Sequence, residues 1–323
     1  MRAPDFWDKR DLLSRSIAAA LSPIGSLYAA GVRFKEKQAS PLRVRVPVIC
    51  VGNISAGGTG KTPIAIAIAD AVIARGQNPF FLSRGYGGTL KGPLVITPGH
   101  KAQEVGDEPL LLSKKAATVV SRDRARGAEL AVERGADVII MDDGHQNFSL
   151  AKDLSLIVVD AAKGFGNEYV LPAGPLREPI AQGLARANAV ILSGQGSPSL
   201  HGFDGPVLRA RTAPQPGFNL KGQRVLAFAG IGRPEKFFAT LSEMGADVHE
   251  GIGFPDHHFY TSEEIKSLKS KARAAQARLI TTEKDFVRLT DIMREDVEAL
   301  PVSALIEPLT LLDELLDRIG LPL

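Results

Sequence analysis

Residues 48–63 read Val-Ile-Cys-Val-Gly-Asn-Ile-Ser-Ala-Gly-Gly-Thr-Gly-Lys-Thr-Pro, and no other stretch limits the possible fold as strongly. The β-branched run Val46, Val48, Ile49 and Val51 has the character of a buried strand. A glycine-rich loop follows, and Gly60-Lys61-Thr62 opens an apolar run of helical length from Pro63 to Ala74. Strand, glycine loop and helix in this order form a phosphate-binding loop. Gly57, Gly58 and Gly60 let backbone N–H groups converge on phosphate oxygens, and the helix adds its positive end. Ser55, Ala56, Gly57, Gly58, Thr59, Gly60, Lys61 and Thr62 are therefore the candidate nucleotide-binding residues. Lys61 suits the β- and γ-phosphates of ATP, and the Thr62 hydroxyl suits Mg²⁺. A strict phosphate-loop pattern has Gly five residues before Gly60, where this chain has Ser55.

A second apolar run ends in acids, Val138-Ile-Ile-Met-Asp142-Asp143-Gly144. A carboxylate at a strand C-terminus opposite Thr62 is placed to hold Mg²⁺, directly or through water, so Asp142 and Asp143 are the candidate metal residues. Alternation along a strand turns neighbouring side chains apart, which favours one of the two over both. Further strands are expected at 80–83, 118–121, 156–160 and 189–193, with a helix at 125–134, as in a doubly wound parallel sheet. Ligands in such sheets lie beyond the strand C-termini. Arg84, Arg124 and Arg177 fall there and are candidates to meet phosphate.

The chain has 323 residues, of which 44% are hydrophobic and 23% charged, enough for two domains with real cores. Its single cysteine, Cys50, excludes an intramolecular disulfide, favours a reducing compartment and reads as core packing. Residues 1–45 hold nine Lys or Arg against four acids, a net +5, which leaves −2 for the rest of a chain of net charge +3. The body carries no broad basic surface of the kind that binds nucleic acid.

Within that basic arm, Leu13, Ile17, Leu21, Ile24 and Tyr28 recur at helical spacing. Ser22-Pro23 is expected to split the arm into two helices, with Ser22 as cap. The uncharged stretch from Ser16 to Val32 is at the short limit for spanning a bilayer. An amphipathic helix lying in the membrane interface and a helical hairpin packed on the body both fit the pattern. Acids before the apolar part argue against a signal peptide.

Taken in order, further motifs carry a resemblance. They are Ser83-Arg-Gly-Tyr86-Gly-Gly88, Gly106-Asp107-Glu108-Pro109, Phe165-Gly-Asn167, Leu171-Pro-Ala-Gly-Pro-Leu-Arg177-Glu178, Asp256-His257 and Thr282-Glu283-Lys284-Asp285. With the phosphate loop, they make the chain similar over nearly its whole length to the tetraacyldisaccharide 4′-kinases, which phosphorylate the lipid A precursor of Gram-negative bacteria. One segment departs: the family often has DDGxQH, whereas Asn147 stands here in place of the histidine, and His145 occupies a variable position.

The resemblance implies a P-loop NTPase α/β fold with a second, smaller α/β domain and a membrane-associated helical arm. The expected divisions are an arm at 1–45, a kinase domain at 46–212 and, after the Pro-rich stretch Ala213–Gly217, a C-terminal domain at 213–323 with strands at 224–229, 277–282 and 302–307. It also implies Mg-ATP as donor and an acylated disaccharide lipid as acceptor, met at the cytoplasmic face of the inner membrane, with no obligate protein partner. Asp107 and His257 are implied to act together at the sugar hydroxyl, assisted by Lys61 and Arg177. A carboxylate can accept a hydroxyl proton, and a histidine titrates near neutrality. Arg84, Tyr86, Arg124, Gln146, Asn167 and Glu178 are the substrate-side candidates. The rival reading is a membrane-associated ATPase switch of the MinD/ParA type. Such switches carry Lys where this chain has Ala56.

Overall fold

The computed structural model describes residues 4–9 and 11–323. Arg2 and Arg10, counted above among the basic residues of the arm, lie outside the described residues. The first part of the chain gives α1 (Leu12–Gln38), β1 (Val48–Gly52), α2 (Lys61–Ala74), β2 (Pro79–Ser83), β3 (Leu94–Val95), α3 (Ala102–Val105), α4 (Asp107–Ser113) and β4 (Thr118–Val120). Then come α5 (Arg124–Glu133), β5 (Val138–Asp142), β6 (Leu154–Asp160), α6 (Ile180–Leu184), β7 (Ala189–Ser193) and β8 (Val207–Pro214). The remainder forms β9 (Arg224–Ala229), α7 (Pro234–Glu243), β10 (Asp247–Gly253), α8 (Ser262–Ala274), β11 (Arg278–Thr282), α9 (Glu283–Phe286), α10 (Asp291–Arg294), β12 (Glu298–Leu300), β13 (Val302–Glu307) and α11 (Leu309–Asp317).

Among the described residues the strands build a nine-stranded sheet in the order β13-β8-β7-β6-β1-β5-β2-β4-β3 and a four-stranded sheet in the order β10-β9-β11-β12. In the large sheet only the edge strands β13 and β3 run antiparallel to their neighbours. Its central strand β1 is buried on both faces. Ile49 and Val51 pack with Ile64 and Ile68 of α2, while Val48 and Cys50 pack with Phe80, Ala128 and Met141 on the other side. Period-two alternation between two covered faces is what a β-branched run inside a parallel sheet requires. Cys50 is accordingly a core residue.

Two expectations are corrected. The stretch 302–307 is a strand, but it belongs to the large sheet, where it pairs with β8 from Val302↔Pro214 to Glu307↔Arg209. Helix α11 then buries Leu312, Leu315 and Leu316 in the same core as α2, and Asp313 meets Arg75 at 2.5 Å. The C-terminal segment thus returns to the first unit, because β8 offered an open edge and α11 an apolar face to cover it. The expected division of residues 213–323 as one separate domain does not follow the chain's path.

The second correction concerns the arm. Pro23 lies inside one continuous helix of 27 residues rather than between two. Proline removes the N–H that would bond the carbonyl of Ala19. Ser22 Oγ donates to that same carbonyl at 2.9 Å, so the helix passes through without an orphan acceptor. The helix has two unlike faces. Ser14, Ala18, Gly25 and Ala29 are buried against the body, while Leu12, Leu13, Ile24, Leu27, Tyr28 and Phe34 face outwards. Gly25 is required by contact: a Cβ there would stand 2.7 Å from the Val170 carbonyl oxygen. By length and composition α1 is also sufficient to cross a membrane.

Candidate active site

The phosphate loop leaves β1 and enters α2 through Gly57 and Gly60, whose φ values of 114° and 80° exclude ordinary L-residues. Nothing lies near the Cβ positions of Gly57 and Gly58, so the backbone there is open to a ligand. The first N–H groups of α2, at Lys61 and Thr62, have no partner within the helix and point at whatever anion the loop holds. The loop is also stitched to the segment before α6. Ala56 N–H donates to the Pro175 carbonyl at 2.7 Å, Arg177 N–H donates to the Ile54 carbonyl at 2.7 Å, and Ser55 pairs with Leu176. Ser55 and Ala56 are held by these contacts, while Gly57 and Gly58 stand in open space.

The register Val51↔Asp142 brings the end of β5 beside the root of that loop. The backbone turns at Asp143, with φ 53°, and the two carboxylates part company. Asp143 accepts two bonds from one Arg177 nitrogen at 2.8 and 2.9 Å and faces Lys61 Nζ at 3.6 Å. Burial works against its charge, but Lys61 and Arg177 outweigh that and hold its carboxyl below the usual range. Asp142 differs. It is 2% exposed, its Oδ1 has no hydrogen-bond partner among the described residues, and burial followed by Glu108 pushes its carboxyl upwards. A buried carboxylate oxygen without a partner is costly unless a cation or donor reaches it. That orphan atom, one strand away from Thr62, fits Mg²⁺. Asp142 is the better ligand of the two, since Asp143 is engaged with two cationic side chains.

His257 Nδ1 lies 3.0 Å from Asp107 Oδ2, across 150 residues of sequence. Asp107 is the first residue of α4 and 4% exposed, and its Oδ1 accepts the Glu108 N–H. The Arg288 guanidinium also grips Oδ2, with Nε at 2.7 Å and a closer Nη2 contact. Burial alone would raise the Asp107 carboxyl, but His257, Lys284 and Arg288 reverse this and hold it far below the usual range. An ionised carboxylate only accepts, so His257 donates through Nδ1 and keeps Nε2 as acceptor. His257 adopts φ 59°, a left-handed conformation held by its N–H bond to the Gly230 carbonyl at 3.1 Å. The Tyr86 ring meets it edge-on at 5.6 Å.

The remaining candidates divide into two groups. Arg124 is buried, its Nε lacks a partner among the described residues, and burial followed by the neighbouring Arg84 pushes its guanidinium down to about 10. Asp143 and Asp142 are the anions that act on it in the opposite sense. Arg84 and Tyr86 are exposed towards solvent. Gln146, Asn167 and Glu178, by contrast, are taken up internally. Asn167 bonds the Tyr169 N–H and the Ala173 carbonyl, closing its own loop. Glu178 is 0% exposed and accepts from Gln146 at 2.8 Å and Arg186 at 2.5 Å. Gln146 in turn accepts from Arg177 at 3.3 Å, and Arg186 reaches Glu36 of α1 at 3.0 Å. Gln146 thus braces Arg177, and Glu178 is linked through Arg186 to Glu36 of the arm. His145 is buried against the Gly183 carbonyl, and burial with Arg186 pushes its ring down to about 3. It is 1% exposed, with Nε2 committed to the Gly183 carbonyl.

Sequence reasoning missed Arg288 and Arg186. The signal for Arg288 was present, since it follows Asp285 by three residues, one helical turn, and the two meet at 2.8 Å. Nothing in the sequence marked Arg186, whose partners Glu178 and Glu36 come from two other segments.

Comparison with known proteins gives the same outline. Residues 17–320 match the family described as LpxK, tetraacyldisaccharide-1-P 4′-kinase. A tetraacyldisaccharide 4′-kinase of Paramagnetospirillum magneticum is 52% identical, the alignment covering 99% of this chain and 99% of that one. One of Rhodospirillum centenum is 49% identical over 98% of this chain and 96% of its own. The crystal structure of LpxK from Aquifex aeolicus in complex with ATP superposes with a TM-score of 0.77 at 30% identity, covering 94% of this chain and 99% of that one. The chain belongs to the tetraacyldisaccharide-1-P 4′-kinase family, the kinases of lipid A biosynthesis.

Proposed function

We propose that the chain transfers the γ-phosphoryl group of Mg-ATP to the 4′-hydroxyl of a tetraacyl disaccharide 1-phosphate at the cytoplasmic face of the inner membrane. The observation that carries this reading is the Asp107–His257 pair, 3.0 Å apart, whose neighbours Glu108 and Lys284 also act electrostatically on Asp142 beside the phosphate loop. A nucleotide switch has no use for an oriented histidine facing an acceptor site. Asp142 and Thr62 would hold Mg²⁺, which would offset charge on the β- and γ-phosphates. Lys61 and Arg177, gathered on Asp143, are positioned to neutralise the transferring group, and Arg84 with Arg124 adds positive potential at the same end of the sheet.

Asp107 fixes the His257 tautomer. His257 Nε2 then accepts the sugar hydroxyl proton as the hydroxyl oxygen bonds to phosphorus and the bond from phosphorus to the β-phosphate oxygen breaks. The His257 side chain is 31% exposed and Asp107 only 5%, so the histidine is the member of the pair that reaches the acceptor. The test is incubation with γ-labelled ATP and total membrane lipid. Label on the 4′ position of a disaccharide lipid, abolished by a chelator and restored by Mg²⁺, is the expected result. Release of labelled phosphate with no labelled lipid overturns the reading.

The outward surface of α1 is the part that meets the membrane. Burying Ile24 and Leu27 in lipid is worth roughly 1.5–3 kcal/mol each. The basic residues flanking the helix add about 1 kcal/mol per well-placed charge on anionic lipid. The variant Ile24→Glu/Leu27→Glu is expected to lose on the order of 100-fold or more in partitioning to anionic vesicles. Its affinity for ATP should be unchanged, because both side chains face outwards on α1 and take no part in the phosphate loop. Sedimentation with vesicles and nucleotide titration read the two separately, and undiminished co-sedimentation refutes the assignment of this face.

A further inference from the structure

The Thr282-Glu283-Lys284-Asp285 motif has no part in the roles assigned so far, yet it stands directly behind the catalytic pair. Its Asp285 is 0% exposed and accepts from Gly230 N–H at 2.9 Å, Tyr260 Oη at 2.8 Å and Arg288 Nη1 at 2.8 Å. Arg288 also donates to the Gly230 carbonyl at 2.8 Å, the same carbonyl that holds the His257 N–H. One guanidinium, wholly enclosed, therefore joins Asp285, the turn after β9 and Asp107. Each of these partners except Asp107 comes from the second unit. Lys284 adds a second bridge to the first unit, reaching Glu108 at 3.0 Å.

We propose that Arg288 is a positioning residue of the phosphoryl transfer: anchored by Asp285, it fixes the Asp107 carboxylate in the orientation that receives His257 Nδ1–H, so that His257 Nε2 faces the acceptor. The planar fork is what the geometry uses. Nε and Nη2 engage Asp107 while Nη1 engages Asp285 and Gly230. A lysine supplies charge at one point and cannot span both carboxylates. Asp107 has few other ways to hold its orientation, since its remaining contacts are His257 and the adjacent Glu108 N–H. The inference rests on the Asp107–His257 reading and extends it to the residue that aligns the pair.

The charged groups around Asp107 are His257, Lys284 and Arg288 from the second unit and Glu108 from its own helix. Asp285 lies behind Arg288, and Asp256 lies 3.9 Å from His257 Nε2. Removing the Arg288 cation, which contacts Asp107 Oδ2, favours protonation of Asp107, so the acidic limb of kcat moves to higher pH.

The experiment compares Arg288→Gln, Arg288→Lys and Asp285→Asn with the unaltered enzyme. It measures kcat against pH, KM for ATP, and thermal unfolding. Expected are a fall in kcat of about tenfold or more in both Arg288 variants at little change in KM for ATP, and an acidic limb raised by ~1–3 pH units in Arg288→Gln. Asp285→Asn should shift kcat in the same direction by less. Should Arg288→Gln fail to fold, Arg288→Lys and Asp285→Asn decide: full kcat with an unmoved acidic limb in both overturns the proposal. So does a loss of kcat matched by an equal loss of ATP affinity, which would mark a merely structural role. The underlying reading is tested apart from this by Asp107→Asn, whose undiminished activity would refute the catalytic pair whatever Arg288 does.

Discussion

Replacing Lys61 with alanine is expected to lower kcat by at least about 10²–10³-fold, the scale observed when one preorganised charge-stabilising group is removed. The ammonium group sits 3.6 Å from Asp143, which also holds Arg177, so the two cations share a single carboxylate anchor. Charge spreads over the phosphoryl oxygens during transfer, and a fixed cation needs no reorganisation to meet it. The Lys61 side chain is only 12% exposed and lies outside the apolar core around Ile64 and Ile68, so the fold should survive its loss. Circular dichroism and thermal unfolding check the fold, and single-turnover transfer of labelled phosphate checks the rate. A folded variant with near-normal turnover would refute the phosphate-loop assignment.

The catalytic pair carries the second large effect. Asp107→Ala is expected to reduce kcat by roughly 10²–10⁴-fold, the range for a positioned acid–base group, while KM for ATP changes little. His257→Ala should cost about as much. Without Asp107 the imidazole has no partner to select its tautomer, and without the imidazole the carboxylate has nothing to orient. The double variant should therefore lose far less than the product of the two single losses, as groups acting as one unit do. Strictly multiplicative losses would mean that the two side chains act independently despite their 3.0 Å contact. The cycle is read in kcat at saturating ATP with the disaccharide lipid as acceptor.

Two parts of the architecture show why some expectations failed. Pro23 is a helix breaker by intrinsic preference, yet α1 runs through it, because the Ser22 hydroxyl takes over the freed carbonyl and the body supports the helix on its small-residue face. Local propensity is a weak prior beside such support. Likewise, the spacing of Leu13, Ile17, Leu21, Ile24 and Tyr28 marked an apolar stripe but not the side that meets the protein. Close packing with the Val170 backbone selected Gly25, Ala18 and Ala29 for that side and left the bulky residues outside. The strand at 302–307 was recognisable by its pattern, but its sheet was decided by the open edge of β8 and by the core contacts of α11.

Local features were legible along the chain. Glycines at fixed offsets before Lys61 and Thr62, an apolar run ending in Asp142, and alternating or helical apolar spacing each act within a few residues, so the phosphate loop and most strands could be read directly. The tertiary structure alone decided what depends on segments far apart in the chain. It separated the partnerless Asp142 from Asp143, which Lys61 and Arg177 occupy, enclosed Glu178 beside Arg186, and brought Arg288 and His257 onto one oxygen of Asp107. A side chain's charge state, exposure and orientation are set by groups that meet only when the sheets and helices pack, and no spacing along the chain records those meetings.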